Sequence, residues 1–332
     1  MEKTSSRNYP LYIGAMLTGL FVFIAVFGQQ LATQDPMQVF SEIIFVGEKM
    51  YIPTRLPVPP FTLDQFVLGT DNAGRDVFSR MMYAIRPTLL LCVIIATLRI
   101  VFGVILGLAS GWFGGITERI VDVLTDISLA VPILLFALAV LAFLGERSLT
   151  NFVLALVLTG WANTAVYVKN NTLVTKQAPY IEGAKSVGVK PFGILRRYIM
   201  PQLWPTLPAL IAFELAATLL VIAELGFLGM FIGDAFVRMS EDPNSPALVA
   251  VGLTAGFPEL AQMLSDFWNK MLLTPWEVAI VGSIIFLQIF AFNMLGEGLR
   301  RQMDVTRPRR VWWRKPKYTF DLPVKKEDTV TA

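Results

Sequence analysis

The sequence predicts an all-α, polytopic membrane protein with about six transmembrane helices. Three observations lead there. Of 332 residues, 55% are hydrophobic and 16% charged, where a soluble domain carries about 25% charged residues. That much apolar surface exceeds what one globular core of this size hides, so the implied solvent is lipid. Six stretches, 10–29, 88–112, 120–144, 151–168, 205–228 and 276–296, are apolar over or close to the roughly 20 helical residues that cross a ~30 Å hydrocarbon core. At that depth a helix satisfies its own backbone and an open strand does not.

The first run, 11–27, follows a short basic stretch with Lys3 and Arg7. A cleaved leader is weighed and set aside: Gly28-Gln29-Gln30-Leu31-Ala32 is a poor cleavage site, and 17 residues is long for a leader's apolar region. Residues 1–30 therefore read as a retained membrane helix. Residues 31–87 read as a loop outside the membrane, with Pro53, Pro57, Pro59 and Pro60 suiting an extended path. Within it Asp76, Arg80, Tyr83 and Arg86 recur at helical spacing, which predicts a short helix lying at the interface before the second span.

The core is 88–299. In its first span Gly103, Gly107 and Gly111 recur every fourth residue, a doubled small-xxx-small pattern that lets a neighbouring helix approach closely; ordinary glycine use in membrane helices is the alternative. Pro132 predicts a kink in the next span. Asp122 and Asp126, with Arg119 nearby, read as an end cap or ion pair. Residues 300–332 form a basic tail in which Trp312 and Trp313 suit interfacial anchoring.

Lys and Arg distribution orients the spans. The segment 169–197 has six basic residues and one acid, and the tail 300–332 has ten against four. The loop 228–275 has two bases (Arg238, Lys270) and five acids (Asp234, Glu241, Asp242, Glu259, Asp266), and 31–86 has five bases and six acids. This places both termini and 169–197 in the cytoplasm, with the loops 31–87 and 229–275 outside.

The segment 179–201 is a basic, punctuated island between apolar spans. Pro179 suits a first helical turn. Tyr180, Ile181, Ala184 and Val187 make one apolar face with Glu182, Lys185 and Ser186 turned away. Gly188 stops the helix and Pro191 restarts a second one, which Pro201 ends. In that second helix Phe192, Leu195 and Ile199 oppose Arg196 and Arg197. Spacing supports two uses of such a pair: lying on anionic lipid, or seating an apolar side in a partner's groove.

E-G-A-K-S-V-G at 182–188, followed by R-R-Y-I-M-P at 196–201, resembles the cytoplasmic signature of ABC-importer permeases, E-A-A-x-x-x-G ending in R-H-I-L-P, with Gly183 in place of the first Ala and Tyr198 in place of the His. L-G-T-D-N-A-G-R-D-V-F-S-R at 68–80 resembles the outer-loop motif L-G-T-D-x-x-G-R-D-x-x-S-R of the second permease subunit of dipeptide, oligopeptide and nickel importers. The segments 106–115, 224–229 and 291–300 resemble further motifs of that subunit in the same order. The match covers roughly 68–304. It departs at 230–257, a partly acidic segment inserted before Pro258, where the Trp and Gly of P-E-W-G-x-M-L are lacking.

The resemblance implies a type I importer permease bundle that moves peptides. It assigns Tyr180, Glu182, Gly183, Ala184, Gly188, Arg197 and Pro201 to coupling with an ATPase. It implies a homologous second permease subunit, two ATP-binding subunits and an extracytoplasmic substrate-binding protein as partners, beside membrane lipid and without nucleic acid. Gly69, Asp71, Gly74, Arg75, Asp76 and Arg80 then read as a structural plug or scoop near the pore entrance. Other solutes, such as nickel chelates or sugars, are the alternative cargo for the same machinery.

Arg99 stands near the middle of its span, where a charge costs about 2.5–3.5 kcal/mol on insertion scales, so it should face protein or water. It reads as a pore or ion-pair residue, with Glu214 or Glu224 as its partner, and Glu224 itself as a structural or gating residue. The chain has no histidine and one cysteine, Cys92, which removes His-ligated metal sites, Ser/His triads and internal disulfides. It has no G-x-x-x-x-G-K-[ST] loop, so no cofactor is expected in this chain and ATP is left to partner subunits. A self-contained secondary transporter would need inverted repeats, and a membrane enzyme would need clustered catalytic groups; neither is visible.

Overall fold

The structure, a computed structural model, describes residues 8–46, 49–54, 56–145, 148–231, 235–237, 253–255 and 258–303. The basic tail from 304 with Trp312 and Trp313, Lys3 and Arg7, and the acids Asp234, Glu241 and Asp242 lie outside the described residues, as does most of 230–257.

Helix α1 (Tyr9–Leu31) starts with Pro10 in its first turn, where a missing N–H is no loss. The following loop holds a short antiparallel ribbon, β1 (Ile44–Val46) with β2 (Lys49–Tyr51), Ile44 opposite Tyr51. Helix α2 (Val77–Phe113) is one unbroken element of 37 residues, about 55 Å at 1.5 Å per residue. The separate interfacial helix expected before the second span is therefore the first three turns of α2 itself. Asp76 caps it by accepting the Ser79 N–H at 2.8 Å, and the chain simply keeps coiling inward from there.

Helices α3 (Gly115–Ala130) and α4 (Ile133–Leu144) meet at 102°. The expected kink is a full break. Pro132 has no N–H to continue the helix and pushes Val131 into extended backbone (ψ 131°). Helices α5 (Leu149–Gly160) and α6 (Ala162–Lys176) bend by 41°. Next come α7 (Pro179–Ser186) and α8 (Pro191–Ile194). From α8 the chain winds through a π-helical turn, Leu195–Ile199, into α9 (Met200–Leu203). Pro201 thus does not end this helix. It removes a donor, and the backbone widens, with the Met200 N–H reaching back to the Leu195 carbonyl. Helix α10 (Leu207–Phe227) precedes a second ribbon, β3 (Ala235–Val237) with β4 (Leu253–Ala255). Short α11 (Leu260–Met263) and α12 (Phe267–Leu273) lead into α13 (Pro275–Met303).

By length and composition α1, α2, α10 and α13 can each cross a membrane, and counting each bent pair as one span gives up to six. The glycine stripe of α2 meets α6. A Cβ added at Gly107 would lie 2.5 Å from the Ala165 carbonyl oxygen, and ones at Gly103 and Gly111 would lie 2.7 Å from the Cβ atoms of Thr164 and Thr172. Only bare backbone permits that approach, so the pattern serves packing. The apolar core lies among α2, α5, α10 and α13, with Ile85, Ile95, Leu156, Leu219 and Ile222 fully buried. On α3, Asp122 pairs with Lys169 of α6, 2.6 Å away, as does Glu118 of its first turn at 2.8 Å; the sequence neighbour Arg119 is not the partner.

Candidate functional site

At one end of the bundle the pair α7/α8–α9 rests on the last turn of α2. Ile181, Ala184, Ile194 and Ile199 are buried around Trp112. The Lys176 and Lys185 ammonium groups each stand 5.6 Å from the Trp112 ring centroid, and Lys176 also donates to the Trp112 carbonyl at 2.7 Å. Tyr180 stacks on Tyr198 and its hydroxyl is bonded by the Gln202 amide, which in turn accepts from Thr175 at 3.0 Å. Gly188 has φ +80°, and the Val189 and Gly188 N–H groups bond the Ala184 and Lys185 carbonyls. This is a Schellman stop that an L side chain strains.

The sequence face is corrected in part. Ile181 and Ala184 point inward as expected, but Val187 is 83% and Phe192 74% exposed, and Tyr180 is also exposed. The π-turn rotates the second helix so that Ile194, Ile199 and Leu203 are its buried stripe. Glu182, Gly183, Lys185, Arg196, Arg197 and Pro201 are exposed with them. The pair thus has an anchored inner side and an outer side of three large apolar groups among charges. Trp112, Lys176 and Gln202 are the supports that sequence reading missed; nothing local to them signals the contact.

At the other end the motif 69–80 forms a buried charged cap. One Asp71 oxygen accepts the Ala73 and Arg75 N–H groups at 2.9 and 2.8 Å. The other accepts Arg75 Nε at 2.8 Å and lies 3.5 Å from Arg80 Nε. Burial alone would raise the Asp71 carboxyl; the Arg75 and Arg80 guanidiniums and the Arg75 N–H overcome it and hold the group below its ordinary range. Arg80 also donates to the Pro36 carbonyl at 3.2 Å and to Gln262 at 2.9 Å. Trp276, in the first turn of α13, donates to the Thr70 carbonyl at 3.2 Å, while Gly69 and Gly74 make the turns at positive φ. Beside the cap Lys270 is buried, bonding Glu277 at 2.9 Å and the Met263 carbonyl at 2.7 Å. The motif is a knot joining the first loop, α2, α11 and α13, with its charges turned inward. The sequence places the motif but not Gln262, Lys270, Trp276 or Glu277; the Gln262 and Trp276 bonds span 182 and 206 residues.

Between the two ends, Arg99 is 0% exposed. Its Nε donates to the Leu156 carbonyl at 2.7 Å and its Nη1 to Thr218 Oγ1 at 3.1 Å. Glu214 is the paired acid, 3.9 Å away, and accepts from Thr164 at 3.1 Å. Glu224 lies ten residues further along α10, about 15 Å on, half-buried and outside this group.

The chain has relatives among known proteins. The family profile described as binding-protein-dependent transport system inner membrane component matches residues 99–257. A glutathione transport system permease protein of Pectobacterium atrosepticum is 33% identical over 238 residues, covering 71% of each chain. A dipeptide transport system permease protein of Haemophilus influenzae is 31% identical over 302 residues, 90% of this chain and 91% of that one. One of Alkalihalophilus pseudofirmus is 28% identical over 302 residues, 91% and 88%. The chain belongs to the binding-protein-dependent transport inner membrane components: it is a multi-pass ABC importer permease, working with ATPase and substrate-binding partners, and not an enzyme.

Proposed function

We propose that this chain is one half of the translocation pore of an ATP-driven peptide importer, paired with a homologous second permease. Two ATPase subunits dock on α7–α9, and an extracytoplasmic binding protein delivers cargo to the loops 31–87 and 229–275. Both termini lie in the cytoplasm, on the side of the basic segment 169–197. ATP is bound and spent by the partner subunits, and closure of their pair moves α7–α9 and hence the spans, alternating the pore between inward-open and outward-open. The observation that carries this reading is the two-sided helix pair. Its inner side is anchored on Trp112 while Tyr180, Val187 and Phe192 stand outward among Glu182, Lys185, Arg196 and Arg197, the shape of an element that fits a partner's cleft. Peptides are the cargo class suggested by relatives named for dipeptide and glutathione transport.

The test is co-purification of ATPase activity with wild type and with Glu182→Ala/Gly188→Arg. Wild type should bring down two ATP-hydrolysing subunits and the double variant should lose them or their stimulation. A wild-type chain that purifies alone and still transports sinks the reading, and the helix pair is then a lipid-surface element.

A further inference from the structure

The bend between α5 and α6 has no proline: residues 149–176 read LTNFVLALVLTGWANTAVYVKNNTLVTK. Sharp bends elsewhere arise at Gly or Ser, at π-turns, or where a side chain inserts into the helix. Here the inserted group is visible. A Cβ on Gly160, the last residue of α5, would lie 2.1 Å from both Cζ and Nε of Arg99. The guanidinium therefore fills the notch that the missing side chain leaves, one residue before the 41° bend. From there it bonds the Leu156 carbonyl of α5 and Thr218 of α10, and it faces Glu214, which holds Thr164 in the first turn of α6. One side chain of α2 thus bonds the first arm of the bend and the helix behind it, and meets the second arm through Glu214.

We propose that Arg99 is a positioning residue, a pin that sets the angle between α5 and α6. Helix α6 is zipped to the glycine stripe of α2 and continues through Gln177 and Ala178 into α7. The angle at Gly160–Trp161 therefore sets where the helix pair stands relative to α4 and α5. Complete burial of Arg99 separates this role from substrate contact. The pin is also unsaturated: Nη2 has no acceptor among the described residues, and Glu214 at 3.9 Å stands beyond hydrogen-bond reach. A movement of Glu214 by about an ångström tightens or loosens it without breaking the bond to Leu156. The consequence for transport rests on the importer reading; the angle itself does not.

The experiment is a spin-label distance across the bend. Labels go on Leu149→Cys and Val174→Cys, both exposed, in a Cys92→Ala background with the full chain in lipid nanodiscs. Arg99→Met and Gly160→Ala should each broaden the distance distribution and shift it to longer values, the first by removing the pin and the second by expelling it. Thr218→Val, which keeps the charge, should give a smaller change in the same direction and covers the case in which Arg99→Met does not accumulate. Unchanged distributions in the variants that accumulate overturn the proposal. In the assembled importer, Arg99→Met should raise the ATP spent per substrate several-fold at unchanged KM. A shifted KM at unchanged ATP per substrate overturns it too, by making Arg99 a substrate residue. Altered distances in a chain that binds no ATPase uphold the pin and sink the importer reading instead.

Discussion

Two motifs rich in charge mark the two ends of this bundle, and they are built in opposite senses. The knot at 69–80 buries Asp71, Arg75, Asp76 and Arg80: Asp71 holds both arginines, Asp76 caps α2, and Arg80 reaches Gln262 and Pro36. The helix pair at 179–203 buries its isoleucines and leaves Glu182, Lys185, Arg196 and Arg197 in the open beside Val187 and Phe192. A buried charge must find its partners within the chain, because removing one leaves the other stranded in low dielectric. An exposed mixture of apolar and charged groups is incomplete until something covers it. The difference separates a structural motif from the surface proposed to meet a partner, although both read as charged islands in the sequence.

The strongest way to break the comparison is Asp71→Asn. It strands the Arg75 and Arg80 guanidiniums, and loss of one partner of a buried pair costs about 3–5 kcal/mol. Thermal unfolding of the detergent-solubilised chain should report that loss; a change below about 1 kcal/mol, the worth of a surface pair, would mean the knot is solvated. Trp112→Ala attacks the other end from beneath. Truncating a buried aromatic costs about 3–5 kcal/mol, here confined to the pair: amide exchange over 179–199 should accelerate while that over 70–80 stays slow.

Acid gives a graded version of the first experiment. The folded-state pKa of Asp71 is lowered, so its contribution is complete above the ordinary carboxylate pKa of ~3.9. It is lost as pH falls through the depressed value. Protection factors at 70–80, that is exchange corrected for its intrinsic pH dependence, should fall in that window and stay level between pH 5 and 8. The smallest structural effect belongs to Phe192→Ser, on the outer side of the helix pair. A surface change of this kind stays within about 0.5 kcal/mol in stability, yet it should weaken retention of the ATPase subunits. Unimpaired retention would move the docking face elsewhere on the pair.

What could be read in advance follows from the range of each cause. The spans, the start at Pro179, the stop at Gly188 and the interruption at Pro132 come from forces acting within one or two turns, through hydrogen bonds to residues four positions away, and these are written locally. The π-turn at Leu195–Ile199 is local in cause, since Pro201 removes the donor, but its rotation of Phe192 outward showed only in three dimensions. The knot motif was legible as a pattern and its function as a knot was not, because Gln262 and Trp276 arrive from the far end of the chain.

The sequence by itself determined that this chain is built for lipid, that helices are interrupted at Pro132, started at Pro179 and stopped at Gly188, and which two islands carry its motifs, because apolar length and the backbone bonding of Pro and Gly act locally. Only the tertiary structure decided that Gly103, Gly107 and Gly111 meet α6, that Lys169 and not Arg119 holds Asp122, and that Arg99 takes Glu214 and Leu156 while Glu224 stands apart. The last two are choices between groups of the same charge, made by the packing of helices distant in sequence: α6 brings Lys169 onto Asp122 although Arg119 is its neighbour on α3, and Glu214 faces Arg99 while Glu224 stands about three turns further along α10.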